Sequence, residues 1–491
     1  MSTHVEALIV GAGFAGLATA LELRAAGVDD IALIERADDV GGTWRENRYP
    51  GVACDIPAHL YALGRHPWPH WSHEFAPGDE IQNYLRTVAD RSGVRALIRF
   101  DTPMTASRWH EDRWHVETPT GDIHARALLL ACGRLTDPSL PDIPGSEGFP
   151  GVLTHTARWD PATEVDGRRI AVIGTGASGV QLVPELVRRG AHVTLFQRTA
   201  AWVLPRGGHG YTDAERARFA AAPEEMAQLR ERLFVDGEAR YASRSGDAAA
   251  AAAASDQALA HLADQIPDRR LRAALTPDYA FGCKRVLLSD DFYPAVASAA
   301  VTLEPSALER IEGHTLISAT GTRHEVDLVV FATGFRATEQ PYARFVTGES
   351  GETLADHWSS GMTSVLSTVV PGFPNLFVLN GPNASLGHNS SILMLEEQAA
   401  YAARTLAKLT DGEILRPDPA AEADYCRRID ERAAPTAWIT GGCHNWYVDE
   451  RSGRLTLLWP GTVAEFRAQM RAADGSEFLR EPVTGVRRST T

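Results

Sequence analysis

The sequence has few cysteines and no closely spaced pair of them. Its five cysteines, at positions 54, 132, 283, 426 and 443, form no Cys-X-X-Cys motif. Zinc clusters and redox dithiols use such pairs, and disulfide frameworks are typical of short secreted chains. We therefore expect no disulfide framework, no zinc cluster and no redox dithiol, and the pattern fits a reducing cytosol.

Long apolar runs and excess positive charge are also missing. No stretch approaches the roughly 20 apolar residues of a membrane helix. Glu6 and Glu22 interrupt the apolar N-terminus, and no Lys or Arg precedes it, unlike a signal peptide. The 63 acidic and 48 basic side chains give a net charge of -15, which repels nucleic acid and anionic lipid. We expect a cytoplasmic protein, monomeric or weakly homo-oligomeric, with no nucleic-acid or membrane partner.

What the sequence does contain is a glycine-rich turn after its first apolar run. Residues 5–10 lead into Gly-X-Gly-X-X-Gly, a helical pattern follows, and a second apolar run at 31–34 ends on an acid. Such glycines let the backbone approach a pyrophosphate, and the acid accepts hydrogen bonds from a ribose. We call this unit of strand, glycine-rich turn, helix and second strand the first finger. It predicts a dinucleotide site at Gly11, Gly13, Ala15, Gly16, Glu35 and Arg36. A second small-residue turn, Gly42, Thr43 and Trp44, indicates a long ligand.

A second finger repeats this unit about 160 residues later. It comprises Gly174, Thr175, Gly176, Ser178, Gly179 and Gln181, and the following apolar run ends in Gln197-Arg198-Thr199. The neutral Gln197 replaces the acid of the first unit, whereas Arg198 and Thr199 can bind a 2′-phosphate. NADPH is therefore favoured over NADH. The alternative is that Arg198 is only a solvated surface residue.

Two dinucleotide sites on one chain predict a flavin that a nicotinamide reduces. The fold class is accordingly α/β, with two doubly wound, Rossmann-like dinucleotide-binding domains. A disulfide reductase would need a dithiol beside the flavin, and the cysteine spacing supplies none. Oxygen is then the leading acceptor of the electrons.

The stretch between the fingers carries a specific motif. Phe149, Gly151, His155, Trp159 and Asp160 match the FxGxxxHxxxW fingerprint, and the chain resembles the type I Baeyer–Villiger monooxygenases of the class B flavoprotein monooxygenases. Related enzymes that oxidise nitrogen and sulfur carry Tyr at the position of Trp159. The resemblance extends over nearly the whole chain, including Ala332-Thr333-Gly334-Phe335 and the segment around Trp446. Taken without this resemblance, the stretch could be a half-buried connector.

The resemblance implies how the chain is divided and what it does. It implies an FAD-binding domain at 1–145 and 368–491, an NADPH-binding domain at 146–203 and 283–367, and a helical insertion at 204–282. The implied reaction uses NADPH and O2 to insert one oxygen atom beside a ketone carbonyl, through a C4a-peroxyflavin, which gives an ester or lactone. N- or S-oxygenation, and a non-oxygenating NADPH-dependent flavin sensor, are the alternatives.

The resemblance also assigns individual residues. Arg285 is the implied active-site arginine and Asp55 the residue that orients it, although Asp55 could be a helix N-cap. Lys284 is a second contact for the 2′-phosphate, unless 284–285 is a solvated turn. Trp446 contacts the nicotinamide ribose or packs on the protein. Further cofactor contacts are expected at Asp55, Tyr61, Met104, Ala332, Thr333 and Gly334. The sequence does not identify the ketone, and the alanine run 248–254 is either a helix or a mobile loop.

Overall fold

The computed structural model describes residues 3–479. The strands are β1 (Thr3–Val10), β2 (Ile31–Ile34), β3 (Ile98–Arg99), β4 (Ala106–His110), β5 (Arg113–Glu117), β6 (Ile123–Leu130), β7 (Val152–His155), β8 (Arg169–Ile173), β9 (His192–Phe196), β10 (Val203–Leu204), β11 (Leu287–Leu288), β12 (Val301–Glu304), β13 (Leu308–Glu312), β14 (Thr315–Ser318), β15 (Arg323–Glu325), β16 (Leu328–Phe331), β17 (Val346–Thr347), β18 (Leu376–Val378), β19 (Arg416–Pro417), β20 (Val448–Asp449), β21 (Arg454–Leu455) and β22 (Phe478–Leu479). The helices are α1 (Phe14–Ala25), α2 (Thr43–Glu46), α3 (Ala58–Tyr61), α4 (Gly78–Arg91), α5 (Ala177–Arg188), α6 (Asp213–Ala221), α7 (Pro223–Ala239), α8 (Ala248–Gln265), α9 (Arg269–Ala274), α10 (Phe292–Ala297), α11 (Leu354–His357), α12 (Ser391–Leu406), α13 (Pro419–Ala433), α14 (Ala437–Thr440) and α15 (Val463–Ala472).

The first sheet is built around the N-terminal strand. Its order is β17-β4-β5-β6-β1-β2-β3, and β18 also pairs with β6. Strands β18, β6, β1, β2 and β3 are parallel, whereas β4, β5 and β6 form an antiparallel meander. Every residue of β2 is buried, as expected of a parallel strand covered on both faces. Helices α1 and α12 pack together on this sheet.

The second sheet is entirely parallel. Its order is β12-β9-β8-β16-β7, and α5 and α10 pack against each other in the core beside it. Both sheets thus contain a strand, a glycine-rich turn and a helix in succession. This architecture matches the α/β class with two doubly wound dinucleotide-binding domains that the sequence predicts.

The segment predicted as a helical insertion consists mainly of α6 to α9. The parallel pairing of β10 with β11 joins the chain on either side of it. The alanine run forms the start of α8, so the helix is correct and the mobile loop is not. Helix α8 begins here because the Asp247 carboxylate accepts hydrogen bonds from the amides of Ala249 and Ala250, both at 3.0 Å.

One strand lies in a different sheet from the one its sequence segment suggests. Strand β17 pairs with β4 in the first sheet, although the sequence assigns 283–367 to the NADPH-binding domain. A two-residue strand has no periodicity that could reveal its partner. The remaining domain bounds stay predictions. Among residues 3–479, no helix is long and apolar enough to cross a bilayer.

Candidate active site

The first finger forms a narrow backbone cradle at the end of β1. Gly11 has φ +107°, and a Cβ there would lie 2.5 Å from the Ala131 carbonyl oxygen. Gly13 precedes α1, and its Cβ would meet only the backbone of Gly42, whose Cα is 3.6 Å away. Gly42, at φ +52°, thus faces Gly13 across the turn. The two predicted glycine-rich contacts lie side by side and leave room for a phosphate against bare backbone.

Glu35 holds this cradle together. Its Oε2 accepts a hydrogen bond from the Ala12 amide at 2.7 Å, and its Oε1 accepts one from the Ala37 amide at 2.9 Å. The side chain is buried at the end of β2. The carboxylate therefore lies beside the glycine turn, and its contact with a ribose stays a prediction. Arg36, the next residue, is exposed.

The other positions predicted in the first unit surround the same turn. Trp44 donates from its indole to the Tyr61 hydroxyl at 3.3 Å, and Tyr61 packs edge-on against Phe14 at the start of α1. Ala15 is buried in α1, and a Cβ on Gly16 would collide with the Gly11 carbonyl oxygen. Thr43, the first residue of α2, is exposed, and Met104 is partly buried in a different cluster from Ala15.

The second finger repeats the geometry at the end of β8. A Cβ on Gly174 would lie 2.7 Å from the Ala332 carbonyl oxygen, and one on Gly179 would lie 2.3 Å from the Gly174 carbonyl oxygen. A Cβ on Gly176 would meet no atom within 4 Å. The turn is thus closed on the side of the sheet and open at the N-terminus of α5. Thr333 donates to the Ser139 carbonyl at 2.6 Å, and Gly334 has φ +81°.

Two cations flank the second finger, and neither forms an ion pair within residues 3–479, although the charge of Asp278 acts on Lys284. Within residues 3–479, Arg198 is exposed and makes no hydrogen bond or ion pair, and Lys284 lies over the Tyr279 ring at 5.0 Å. Burial and the neighbouring Arg198 cation lower the pKa of Lys284. Thr199, next to Arg198, accepts a hydrogen bond at its carbonyl from Thr175 at 3.1 Å. Two like charges held near each other suit an anion that binds both.

The fingerprint stretch forms the edge of the second sheet. Its strand β7 pairs His155 with Phe331 of β16. Burial lowers the pKa of His155 to about 4, and the neutral ring accepts the Ala157 amide at 3.0 Å. A Cβ on Gly151 would lie 2.3 Å from the Asp327 carbonyl oxygen. Trp159 is buried, and the exposed Asp160 only caps the local turn through the Ala162 amide. Phe149 is buried in a neighbouring cluster.

Arg285 and Asp55 form an ion pair although they lie 230 residues apart. The guanidinium donates through Nε at 3.0 Å and through Nη2 to the same Asp55 oxygen. The Asp55 charge raises the pKa of Arg285 further above its usual value, against the opposing effect of burial. Asp55 is not a helix N-cap, because α3 begins at Ala58 and its N-cap position is Pro57.

Tyr447 is a contact of Arg285 that the sequence analysis missed. It is 2% exposed, and the Arg285 cation lies close enough to affect the pKa of its hydroxyl. Burial raises its pKa, while the nearby cations Arg285 and Arg244 oppose that rise. The neighbouring Trp446 is 38% exposed, with its ring centre 4.6 Å from that of Tyr447. No spacing or composition signal distinguished Tyr447 from the rest of its segment.

The sequence predicts no disulfide framework, and the described residues contain a single bridge. Cys283 and Cys443 form a disulfide, whereas Cys54, Cys132 and Cys426 are free. The bridge ties the residues just before Arg285 to the segment that carries Trp446. Its cysteines are 160 residues apart, so no local spacing could reveal the pairing.

Gln181 connects the two fingers. Its Oε1 accepts a hydrogen bond from the Tyr49 hydroxyl at 2.8 Å, and its Nε2 donates to the Ala53 carbonyl at 3.0 Å. Ser178, one helical turn earlier, also contacts the Tyr49 hydroxyl. Helix α5 of the second finger is thereby bound to the loop that leads into Asp55. The second finger is therefore connected directly to the loop that carries Asp55 of the ion pair.

Comparison with known proteins agrees with this geometry. Residues 8–206 match a family model described as pyridine nucleotide-disulphide oxidoreductase. A Baeyer–Villiger monooxygenase of Streptomyces coelicolor is 43% identical over 480 residues, which are 97% of this chain and 92% of the relative. The structure is similar to that of cyclohexanone monooxygenase from Rhodococcus sp. Phi1 bound to NADP+, with a TM-score of 0.86, 27% identity and coverage of 98% and 99% of the two chains. It is also similar to that of OTEMO in complex with FAD and NADP, with a TM-score of 0.85, 25% identity and coverage of 98% and 100%.

The family model covers residues 8–206, whereas the match to the Streptomyces relative and both structural matches cover at least 97% of this chain and at least 92% of the other protein. The longer matches therefore span both fingers, the fingerprint stretch and the positions of Asp55 and Arg285. The resemblance predicted from the fingerprint is confirmed. The chain belongs to the Baeyer–Villiger monooxygenase family.

Proposed function

We propose that this protein uses NADPH and O2 to insert one oxygen atom beside the carbonyl of a ketone, with Arg285 as the catalytic cation. The protein is an FAD-dependent, NADPH-dependent Baeyer–Villiger monooxygenase, and the product is an ester or a lactone. The Arg285–Asp55 ion pair supports the proposal most directly, because it places a permanent cation beside both fingers.

The cradles fit the two cofactors. The first finger, closed by Glu35 and facing Gly42, would hold the pyrophosphate and ribose of FAD. The open N-terminus of α5 would hold NADPH, with Arg198 and Lys284 on its 2′-phosphate. When bound, FAD supplies the redox chemistry that passes the electrons of NADPH to oxygen. The residues of the chain position the ketone and stabilise charge around it.

Arg285 suits this reaction because its guanidinium does not lose its proton. A lysine or histidine at this place could protonate the attacking oxygen and weaken it as a nucleophile. The Arg285 cation would instead stabilise the negative charge that develops on the ketone oxygen, where a fixed charge contributes most. Asp55 holds the guanidinium through two hydrogen bonds.

The test is to replace Arg285 by Ala and to measure ester formation and NADPH consumption together. We expect the variant to retain FAD, to bind NADPH at somewhat lower affinity and to form no ester. NADPH that is still consumed should release hydrogen peroxide. Asp55→Ala should keep a reduced fraction of the activity, because it misplaces the guanidinium without removing it.

A matched control is Arg168→Ala, which removes only a surface ion pair with Glu164. This variant should form ester at the wild-type rate. Ester formation by Arg285→Ala at a near wild-type rate would overturn the role proposed for the ion pair. No product from any ketone with the wild-type enzyme would overturn the proposed function itself.

We further propose a cytoplasmic location and a monomeric or weakly oligomeric state. Dependence on NADPH, which is abundant in the cytosol, supports the location, whereas the Cys283–Cys443 bridge would be reduced there. Size-exclusion chromatography with light scattering tests the oligomeric state. Thiol trapping in freshly lysed cells tests whether the bridge exists in the compartment where the protein is made.

A further inference from the structure

Arg244 is a second buried arginine close to the proposed catalytic cation. It belongs to the insertion, in the short 3-10 turn Ala242–Arg244 that follows α7, and it is 7% exposed. The Arg244 side chain passes over Gly282, and a Cβ added to Gly282 would lie 2.8 Å from the Arg244 Cγ. The Arg244 guanidinium lies 5.7 Å from the centre of the Phe281 ring. Arg244 therefore packs on the segment that leads into Arg285.

Arg244 lacks the counter-charge that Arg285 has. Its Nη1 donates to the Arg240 carbonyl at 2.8 Å and to the Ser243 hydroxyl at 2.9 Å. Within residues 3–479, no acceptor is bonded to its Nε or Nη2, and no carboxylate forms an ion pair with it. Burial lowers the pKa of Arg244 to about 10, and Arg285 adds repulsion. A cation buried in this way is costly unless an anion joins it.

The carboxylate of Glu238, on the helix that precedes Arg244, already has other partners. Glu238, on α7, accepts hydrogen bonds from Asn389 at 3.0 Å and from the amides of Val463 and Ala464 at 3.1 and 3.0 Å. It also lies 3.5 Å from the ring of His388. Glu238 thus ties α7 to the start of α15 and to the chain near His388, and the charge of Arg244 remains unbalanced.

The free edge of the Arg244 guanidinium faces a residue without a side chain. A Cβ on Gly387 would lie 4.0 Å from its Nε and 3.9 Å from the ring of Trp438. Burial and the Arg244 charge both lower the pKa of His388, the residue after Gly387, so the His388 ring is neutral at pH 7. The charges of both arginines act on the pKa of Tyr447, and Arg244 packs on the segment that leads into Arg285. A ligand bound at Arg285 therefore has a second cation near it.

We propose that Arg244 binds a carboxylate of the substrate, so that the preferred ketones are keto acids whose acid group is remote from the reacting carbonyl. The guanidinium is a planar fork that pairs with a carboxylate through two hydrogen bonds. This inference rests on the proposed ketone oxidation and adds a substrate class to it. Arg285 would act on the carbonyl, and Arg244 would hold the other end of the molecule.

The experiment compares linear oxo-carboxylates of increasing chain length, from 4-oxopentanoate upward, with their methyl esters. At the matching length, we expect the acid to have the lower KM by about 10- to 100-fold. Arg244→Gln should remove this preference by raising the KM of the acid while leaving that of the methyl ester nearly unchanged. Arg244→Lys, which keeps the charge but not the fork, should give an intermediate KM.

A binding measurement separates this role from a structural one. Simple alkanoates and alkanamides of matching length have no ketone to react. The alkanoates should compete with the substrate through Arg244, whereas the alkanamides, which lack the carboxylate, should not. Arg240→Gln, on the same segment but exposed, is the matched control and should change neither series. FAD content and the Kd of NADP+ should be unaltered in Arg244→Gln, which establishes that the variant is folded.

Three outcomes would overturn the inference while leaving the ketone oxidation intact. The first is equal KM values for acid and ester at every chain length. The second is an equal rise in the KM of acid and ester in Arg244→Gln. The third is a loss of NADP+ affinity in Arg244→Gln without a rise in the KM of the acid. Failure to oxidise any ketone, acid or ester, would instead contradict the proposed function.

Discussion

At the scale of single residues, we propose that coenzyme choice depends on a few charges at the end of β9. Gln197 is buried and donates to the Ala274 carbonyl at 2.7 Å, so it fixes the strand end and leaves Arg198 as the exposed cation beside Lys284. A 2′-phosphate would relieve the repulsion between these two side chains, whereas the 2′-hydroxyl of NADH would not. Selectivity thus follows from charge rather than from shape.

Replacing Arg198 by Ala should therefore weaken NADPH and spare NADH. A hydrogen bond to a charged group contributes about 1.5 to 3 kcal/mol, so the Kd of NADPH should rise about 10- to 100-fold. Fluorescence titration with both coenzymes measures this. Arg189→Ala, an exposed arginine at the opposite end of α5, serves as the control. An equal loss for both coenzymes would mean that Arg198 only supports the fold.

At the scale of elements, two segments far apart in sequence are joined beside the ion pair. The bridge between Cys283 and Cys443 restrains the end of the insertion against the chain after α14. Asn445 continues this restraint, since its side chain donates to the Trp438 carbonyl at 2.9 Å and accepts the Tyr447 amide at 3.0 Å. Tyr447 therefore reaches Arg285 from a segment that is held at several points.

Removing the bridge should destabilise the protein. We expect the Cys283→Ser/Cys443→Ser double variant to lose about 2 to 4 kcal/mol in free energy of unfolding, because a long closed loop of the unfolded chain is released. Denaturant titration measures the loss, and Cys426→Ser, which removes a free thiol, is the control. Thiol titration of the unfolded, non-reduced chain should label Cys54, Cys132 and Cys426 alone. Labelling of all the cysteines would show that the bridge is absent.

At the scale of the whole molecule, the two fingers must keep a fixed relative position, because NADPH bound at one is expected to reduce the flavin bound at the other. The hydrogen bonds of Gln181 to Tyr49 and Ala53 connect α5 to the first unit, and the Arg285–Asp55 pair is a second connection. Both involve the loop between α2 and α3. Its position should therefore affect how well NADPH reduces the flavin.

Tyr49→Phe tests this connection by removing one hydroxyl. We expect a loss of about 0.5 to 1.5 kcal/mol in stability and a slower anaerobic bleaching of the flavin by NADPH, with FAD content unchanged. Tyr293→Phe is the matched control, because Tyr293 is also buried and its hydroxyl makes no hydrogen bond within residues 3–479. The same bleaching rate in both variants would argue against a role for Tyr49 in coupling the fingers.

The sequence by itself determined the features that contiguous residues encode. Each finger is a strand, a turn and a helix within about 25 residues, so its glycines and apolar spacing predict it directly. The helical insertion followed from composition, and the fingerprint predicted the family. The pairing of Asp55 with Arg285 was expected only through that resemblance, because nothing in the spacing of two residues 230 positions apart indicates contact.

Only the tertiary structure decided the contacts between distant segments. Cys283 meets Cys443, β17 joins the first sheet, and Arg244 packs on the segment that leads into Arg285, with no carboxylate paired to it within residues 3–479. Local periodicity reports which face of an element is buried but not which element covers it. Packing makes that choice, because it depends on which surfaces fit together and not on local sequence.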